Sequence, residues 1–312
     1  MLGASLAIGP TRPPIERRRQ PASRKEPMSV MKETRVRLLL PAVALVAAAA
    51  IAAGCGDDDG GTSDEAQTLS IEATGGKDGV SFKAPAEAEA GVTEIEFTNN
   101  TTEDELDGQL VYVAEERSDE QVIAQLGNAI QGRPVEAWFQ AGGGTGTTAK
   151  GETTTVTQVL KPGTYYAAGS EEPQPPLTKI EVTGEEGEEL PEADGTVTAG
   201  EYLFESEGLP SGESTIELEN AGGQWHHFLA SPLQEGATIE DAKRFFRTEK
   251  GQPPFEGAPG DAVSSTVLEG GTSQLVDLEL EPGRYAFFCF ISDKQGGPPH
   301  VVKGMISEVT VE

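Results

Sequence analysis

The chain repeats itself at a distance of about 120 residues, and this repeat limits its architecture more than any other feature. Ile95-Glu-Phe-Thr-Asn99 matches Ile216-Glu-Leu-Glu-Asn220 at an offset of 121 residues. Gly151 and Val156 match Gly271 and Val276, and Leu160-Lys-Pro-Gly-Thr-Tyr165 matches Leu280-Glu-Pro-Gly-Arg-Tyr285, both at an offset of 120. One residue is therefore gained or lost between the two groups. A duplication of this period means two copies of one supersecondary unit. It predicts a first unit over residues 66–184, a linker over 185–193 and a second unit over 194–312.

Within each copy the pattern is that of strands. Ile216 and Leu218, Val276, Leu278 and Leu280, and Tyr285 and Phe287 alternate with polar residues at period two, and Gly or Pro punctuates the runs. Several short strands in about 115 residues predict an all-β chain of two tandem Greek-key β-sandwiches. Each copy also carries one helical signal. Ser118-Asp-Glu-Gln121 and Thr238-Ile-Glu-Asp241, 120 residues apart, have the form of a capping box. Each opens a short amphipathic helix, with Val122 and Leu126, or Ala242, Phe245 and Phe246, turned inward. This helix falls in the crossover between early and late strands.

The second copy ends in a stretch with chemistry in it. The β-rich runs Tyr285–Ile291 and Ile306–Val311 bracket a loop holding Cys289, His300 and Met305, with Gly296, Gly297, Pro298 and Pro299 letting it fold back. Thiolate, imidazole and thioether are soft-to-borderline donors that suit copper. The remaining histidines of the chain are the adjacent His226 and His227. Cys289 on its own reads as a small buried hydrophobe, His300 as a surface histidine, Met305 as a core residue, and the pair as polar residues at a strand entrance. All three histidines and the second cysteine nevertheless fall in one copy.

This stretch resembles the C-terminal ligand loop of the cupredoxins, the family of plastocyanin, azurin and copper nitrite reductase. His300-Val-Val-Lys-Gly-Met305 reproduces the His-x4-Met spacing of plastocyanins and nitrite reductases. Asn220-Ala-Gly-Gly-Gln-Trp-His226 is similar to the segment before the first ligand of plastocyanins. Ten residues separate Cys289 from His300, more than in the familiar members. The resemblance implies a cupredoxin sandwich over residues 194–312 with one type 1 copper held by His226, Cys289, His300 and Met305. His227 is the alternative to His226; strand alternation sends the two to opposite faces, so one of them reaches the metal. The resemblance also implies that the His300 edge reaches the surface through the uncharged residues Gly296, Gly297, Pro298, Pro299, Val301 and Val302, where a redox partner protein docks.

The first copy lacks His, Cys and Met altogether. Leu106 and Asp107 stand in the places of the two histidines, and Gly169 in that of Cys289, so this copy is expected to keep the sandwich and bind no copper. With three histidines in the chain, a type 1 site leaves His227 for any further copper cluster, and no Ser-His-Asp set or nucleotide fingerprint is present. The expectation is a non-enzymatic carrier of single electrons. The same donors also suit copper delivery or sequestration, and a metal-free adhesion or scaffold module is the third reading.

The N-terminal region reads as an address. From Met28 or Met31, Lys32, Arg35 and Arg37 precede an apolar core over Leu38–Ala53, and Ala52-Ala53-Gly54-Cys55 resembles a bacterial lipobox. That implies a signal peptide within residues 1–54, lipidation at Cys55, a tether over residues 55–65 and a protein exported to the outer face of a membrane. Sixteen apolar residues fall short of the ~20 that span a bilayer. Residues 1–54 hold 9 Lys and Arg against 3 Asp and Glu, leaving 14 basic and 49 acidic residues in the rest. So acidic a surface repels nucleic acid. With Cys55 lipidated, Cys289 has no intramolecular partner, and a free thiol in an exported protein fits a metal ligand.

Overall fold

The period-two pattern becomes strands because alternate residues can be buried. Ile95 and Phe97 in the first copy, and Ile216 and Leu218 in the second, are 0–1% exposed. Each such side chain contributes about 1.5–3 kcal/mol by leaving water. The computed structural model describes residues 66–312 except 77–78, 170–174, 186, 188, 249 and 257–262. The expected export signal, Cys55 and the expected tether lie outside the described residues.

The first copy comprises β1 (Gln67–Gly76), β2 (Gly79–Lys83), β3 (Glu87–Glu89), β4 (Gly91–Thr101), β5 (Glu105–Val113), α1 (Asp119–Ile130), β6 (Phe139–Ala149), β7 (Thr153–Leu160), β8 (Gly163–Ala168) and β9 (Leu177–Thr183). The second comprises β10 (Gly195–Gly200), β11 (Leu203–Glu207), β12 (Gly212–Asn220), β13 (Leu229–Pro232), α2 (Ile239–Thr248), β14 (Val263–Ser264), β15 (Thr272–Leu280), β16 (Gly283–Phe288), α3 (His300–Lys303) and β17 (Ile306–Val311). The all-β reading holds, and both helices sit in the expected crossovers. Ser118 and Gln121 form the expected capping box at α1. At α2 the Thr238 N–H donates to Asp241 Oδ2 at 2.9 Å and the Asp241 N–H to Thr238 Oγ1 at 3.2 Å.

The two sandwiches share a sheet. One eight-stranded sheet runs β11-β10-β12-β15-β7-β4-β1-β2, and each copy covers its own half with a second sheet, β3-β9-β8-β5-β6 or β14-β13-β16-β17. The junction is the antiparallel pair β7–β15, with Val156 opposite Val276. These two residues are repeat counterparts. A strand lying antiparallel to its own copy, with equivalent residues face to face, is the relation that a two-fold axis through that pair produces. The pairing also removes two open edges that would otherwise invite association.

Asn99 and Asn220, the repeated asparagines, do the same work in each copy. Both are fully buried. Asn99 Nδ2 donates to the Thr148 carbonyl at 3.1 Å, and Asn220 Nδ2 to the Leu268 carbonyl at 3.0 Å and the Gln224 carbonyl at 2.9 Å. Asn220 Oδ1 accepts the Gly222 N–H at 3.0 Å. The side chain thus replaces a missing strand partner in the turn that leads to His226.

Candidate metal centre

His226 follows that turn, paired in an isolated antiparallel bridge to Leu268. Strand β16 stops at Phe288, one residue before Cys289, because the Cys289 carbonyl accepts the Val301 N–H at 2.7 Å instead of a strand neighbour. The His300 N–H donates to the Ile291 carbonyl at 2.9 Å, and the Met305 N–H to the His300 carbonyl at 2.9 Å. His300 opens the one-turn α3, which ends at Gly304 with φ 105°, a left-handed position that favours glycine. That turn delivers Met305 to the base of β17. Backbone hydrogen bonds thereby hold both ends of the loop.

The structure brings His226, Cys289 and His300 together, each 0% exposed, with their donor atoms all within 4.8 Å of one another. His226 Nδ1 lies 3.1 Å from His300 Nδ1, which lies 3.5 Å from Cys289 Sγ. Met305 is 0% exposed in the same core. His227 points elsewhere: its Nε2 accepts the Phe290 N–H at 2.6 Å. It lines a cavity of about 230 Å³ between the two halves, with Asp107, its repeat counterpart, at the same cavity.

Burial sets the protonation of this group. It lowers His226 to a pKa of about 4, helped by neighbouring His300 and opposed by Asp293. It lowers His300 as well, against the hydrogen bond and charge of Asp293. The Cys289 thiol is pushed up to about 12 by burial, with the backbone N–H groups of His227 and Ile291 opposing. His227 falls to about 3, again by burial first and then by the other two histidines.

The metal-free group leaves one donor position unfilled. Two Nδ1 atoms face each other, so at most one of them carries a proton shared with the other, and His226 Nε2 is buried without a partner among the described residues. His226 Nδ1, His300 Nδ1 and Cys289 Sγ converge closely enough that they would hold one ion together. Neutral imidazoles and a thiol that gives up its proton on binding form a soft donor set, with Met305 beside it, and the set fits type 1 copper.

Sequence reasoning missed what covers His300. Its Nε2 sits 2.9 Å from Asp293 Oδ1, which also accepts the Tyr202 hydroxyl at 2.9 Å, while Lys303 Nζ pairs with Asp293 Oδ2. The Tyr202 ring meets the His300 ring edge-to-face at 5.1 Å. His300 therefore does not reach the surface through an apolar patch, and Val301 is 4% exposed, packed in a core cluster with Phe255 and Phe288. The length of the loop also has a structural role. Ser292–Gly297 reaches the first half, where the Val135 N–H donates to the Lys294 carbonyl at 2.9 Å and the Gly297 N–H to the Gly132 carbonyl at 3.1 Å.

No protein-family model matches the chain, and no curated protein matches it. The solved structures it is similar to include reduced auracyanin from the photosynthetic bacterium Roseiflexus castenholzii, at 19% identity over 38% of this chain and 94% of that one, TM-score 0.24. They also include a multicopper oxidase at 14% identity over 78% and 88%, TM-score 0.22. A third is the copper nitrite reductase of Nitrosomonas europaea at 13% identity over 80% and 94%, TM-score 0.20. Two of these are enzymes, which corrects the expectation of a non-enzymatic protein. The histidine count limits which copper clusters the chain builds alone; it does not bear on chemistry at the site it has. The paired sandwiches and the buried His226, Cys289 and His300 beside Met305 make this a cupredoxin-like chain with a site that fits type 1 copper.

Proposed function

We propose that the chain carries single electrons at one copper held by His226, Cys289, His300 and Met305, on a protein exported and anchored through lipid at Cys55. The observation behind this reading is the buried group of three donors within 4.8 Å, built from loops that backbone hydrogen bonds already hold. Copper bound by thiolate, two imidazoles and a thioether changes oxidation state by one electron. The chain's part is to keep the donors in one geometry for both states and to exclude water. Full burial of all four side chains supports this. A redox partner protein is implied, and the acidic surface of the mature chain favours one that carries positive charge or meets it over a small, transient contact.

Adding Cu(II) to the purified chain should give an intense thiolate-to-copper absorption band and a reversible potential, both lost in Cys289→Ser. Retention of the band in Cys289→Ser would sink the assignment. Anchoring is tested separately, by labelling cells with a fatty-acid probe. The wild type should be marked and Cys55→Ser unmarked, and equal labelling would end that part of the reading.

A further inference from the structure

Tyr202 is the one non-glycine among the described residues with a positive φ, 63°. It stands in the two-residue turn between Gly200 and Leu203, which pair across β10 and β11. A tyrosine kept where glycine is unstrained points to work done by the side chain. That side chain leans on His300, gives its hydroxyl to Asp293, and lies under Lys303 Nζ at 4.9 Å from the ring centroid and 3.2 Å from the hydroxyl oxygen. Asp293 in turn holds His300 Nε2.

We infer that Asp293, Tyr202 and Lys303 form a clamp that sets His300 for the metal before metal arrives. A carboxylate oxygen only accepts, so the proton of neutral His300 resides on Nε2 and the lone pair on Nδ1, the atom facing Cys289 and His226. Lys303 and Tyr202 hold the carboxylate in place, and the Tyr202 ring closes the histidine edge against water. These three are positioning residues, since none of them touches the ion position directly. Partners of this kind commonly change metal affinity 10–100-fold. The inference rests on the copper reading above for its consequences, while its first consequence is visible in the metal-free chain.

Nitrogen-15 spectra of the histidine rings in the full metal-free chain test it. His300 should be a single Nε2–H tautomer in the wild type and in Asp293→Asn, whose Oδ1 still accepts, and a mixture in Asp293→Ala. With copper bound, Asp293→Ala should release the ion at least ~10-fold faster. Asp293→Asn should restore slow release yet keep a raised potential, because the negative charge that favours Cu(II) is gone. Tyr202→Gly relieves the backbone while removing the ring; it should leave the unfolding midpoint equal or higher, yet expose His300 to ring modification by diethyl pyrocarbonate in the metal-free chain. A mixed or Nδ1–H tautomer in the wild type overturns the inference, as does copper release in Asp293→Ala within twofold of wild type. If the tautomer is as stated and the wild type binds no copper, the clamp stands and the functional reading falls.

Discussion

Glu269 ties the first copy to the segments that carry the candidate donors, and its removal is a quantitative test of the fold. It is 9% exposed. Its Oε2 accepts the Trp225 indole N–H at 2.7 Å and the Ala141 N–H at 3.2 Å; its Oε1 accepts the Gly270 N–H at 3.1 Å and pairs with Lys294. One carboxylate thus joins β6 of the first copy, the residue before His226, and the loop between Cys289 and His300. Glu269→Ala strands the Trp225 and Ala141 donors. Hydrogen bonds to a charged group contribute about 1.5–3 kcal/mol each. Two lost bonds amount to about 3–6 kcal/mol, and water entering the space left behind brings the expectation to the lower end, about 3 kcal/mol. Lys294→Met should cost under about 1 kcal/mol, because that side chain is 27% exposed and a screened pair contributes little. Urea unfolding of the full metal-free chain, with slopes compared to confirm one transition, measures both. A cost below about 1 kcal/mol for Glu269→Ala, or equal costs for the two variants, refutes the assignment of Glu269 as the tie.

Three further outcomes follow from the same geometry. Cys289 in the metal-free chain has its thiol raised to about 12 by burial, so the thiolate is scarce at pH 8 and becomes abundant only near the raised value. Its reaction with a disulfide reagent should be at least ~100-fold slower than in urea, and comparable rates would contradict the sealed site. Val301→Glu places a charge in the cluster beneath α2 and should destabilise by at least about 3 kcal/mol or prevent folding, as seen in thermal melts; a stable variant would return Val301 to the surface. Residues 66–184 expressed alone expose the edge of β7, and sedimentation should reveal dimers formed by β7 against its own copy about Val156. A monomer at ~100 μM would count against the two-fold reading of the junction.

The sequence made some of this legible for identifiable reasons. Capping boxes, the repeated Asn99 and Asn220, and the spacing from His300 to Met305 are local patterns, and each has a local physical cause in the fold. The fusion of the two sandwiches was not legible. Val156 and Val276 alternate with polar neighbours whether their strands lie inside a sheet or at its edge, so period two says nothing of edge pairing. The cover over His300 left no signal either. Asp293 precedes His300 by seven residues in an irregular loop, and Tyr202 is about 100 residues away, so neither sequence distance nor periodicity connects them. The excess length of the loop was the available hint. Uncharged neighbours suggested an open edge, whereas those residues turn the chain and the charged ones close over the ring.

The copy without donors explains why the duplication is useful to a single metal site. Leu106, in the place of His226, is 8% exposed in the continuous core, so an apolar side chain fills the room an imidazole would take. Gly169 replaces Cys289 and needs no partner for a thiol. Relieved of a ligand loop, that copy presents Gly132 and Val135 to the long loop, Ala141 to Glu269, and Gln109, whose Oε1 accepts the Val267 N–H at 2.8 Å, two residues before Glu269. Every one of these contacts falls on a segment between two donor residues, and none falls on a donor. The first copy therefore restrains the spacing of His226, Cys289 and His300 without supplying any group to them, and β7 closes the sheet edge that β15 would otherwise expose. Preorganisation of this kind reduces the ordering that metal binding would otherwise require.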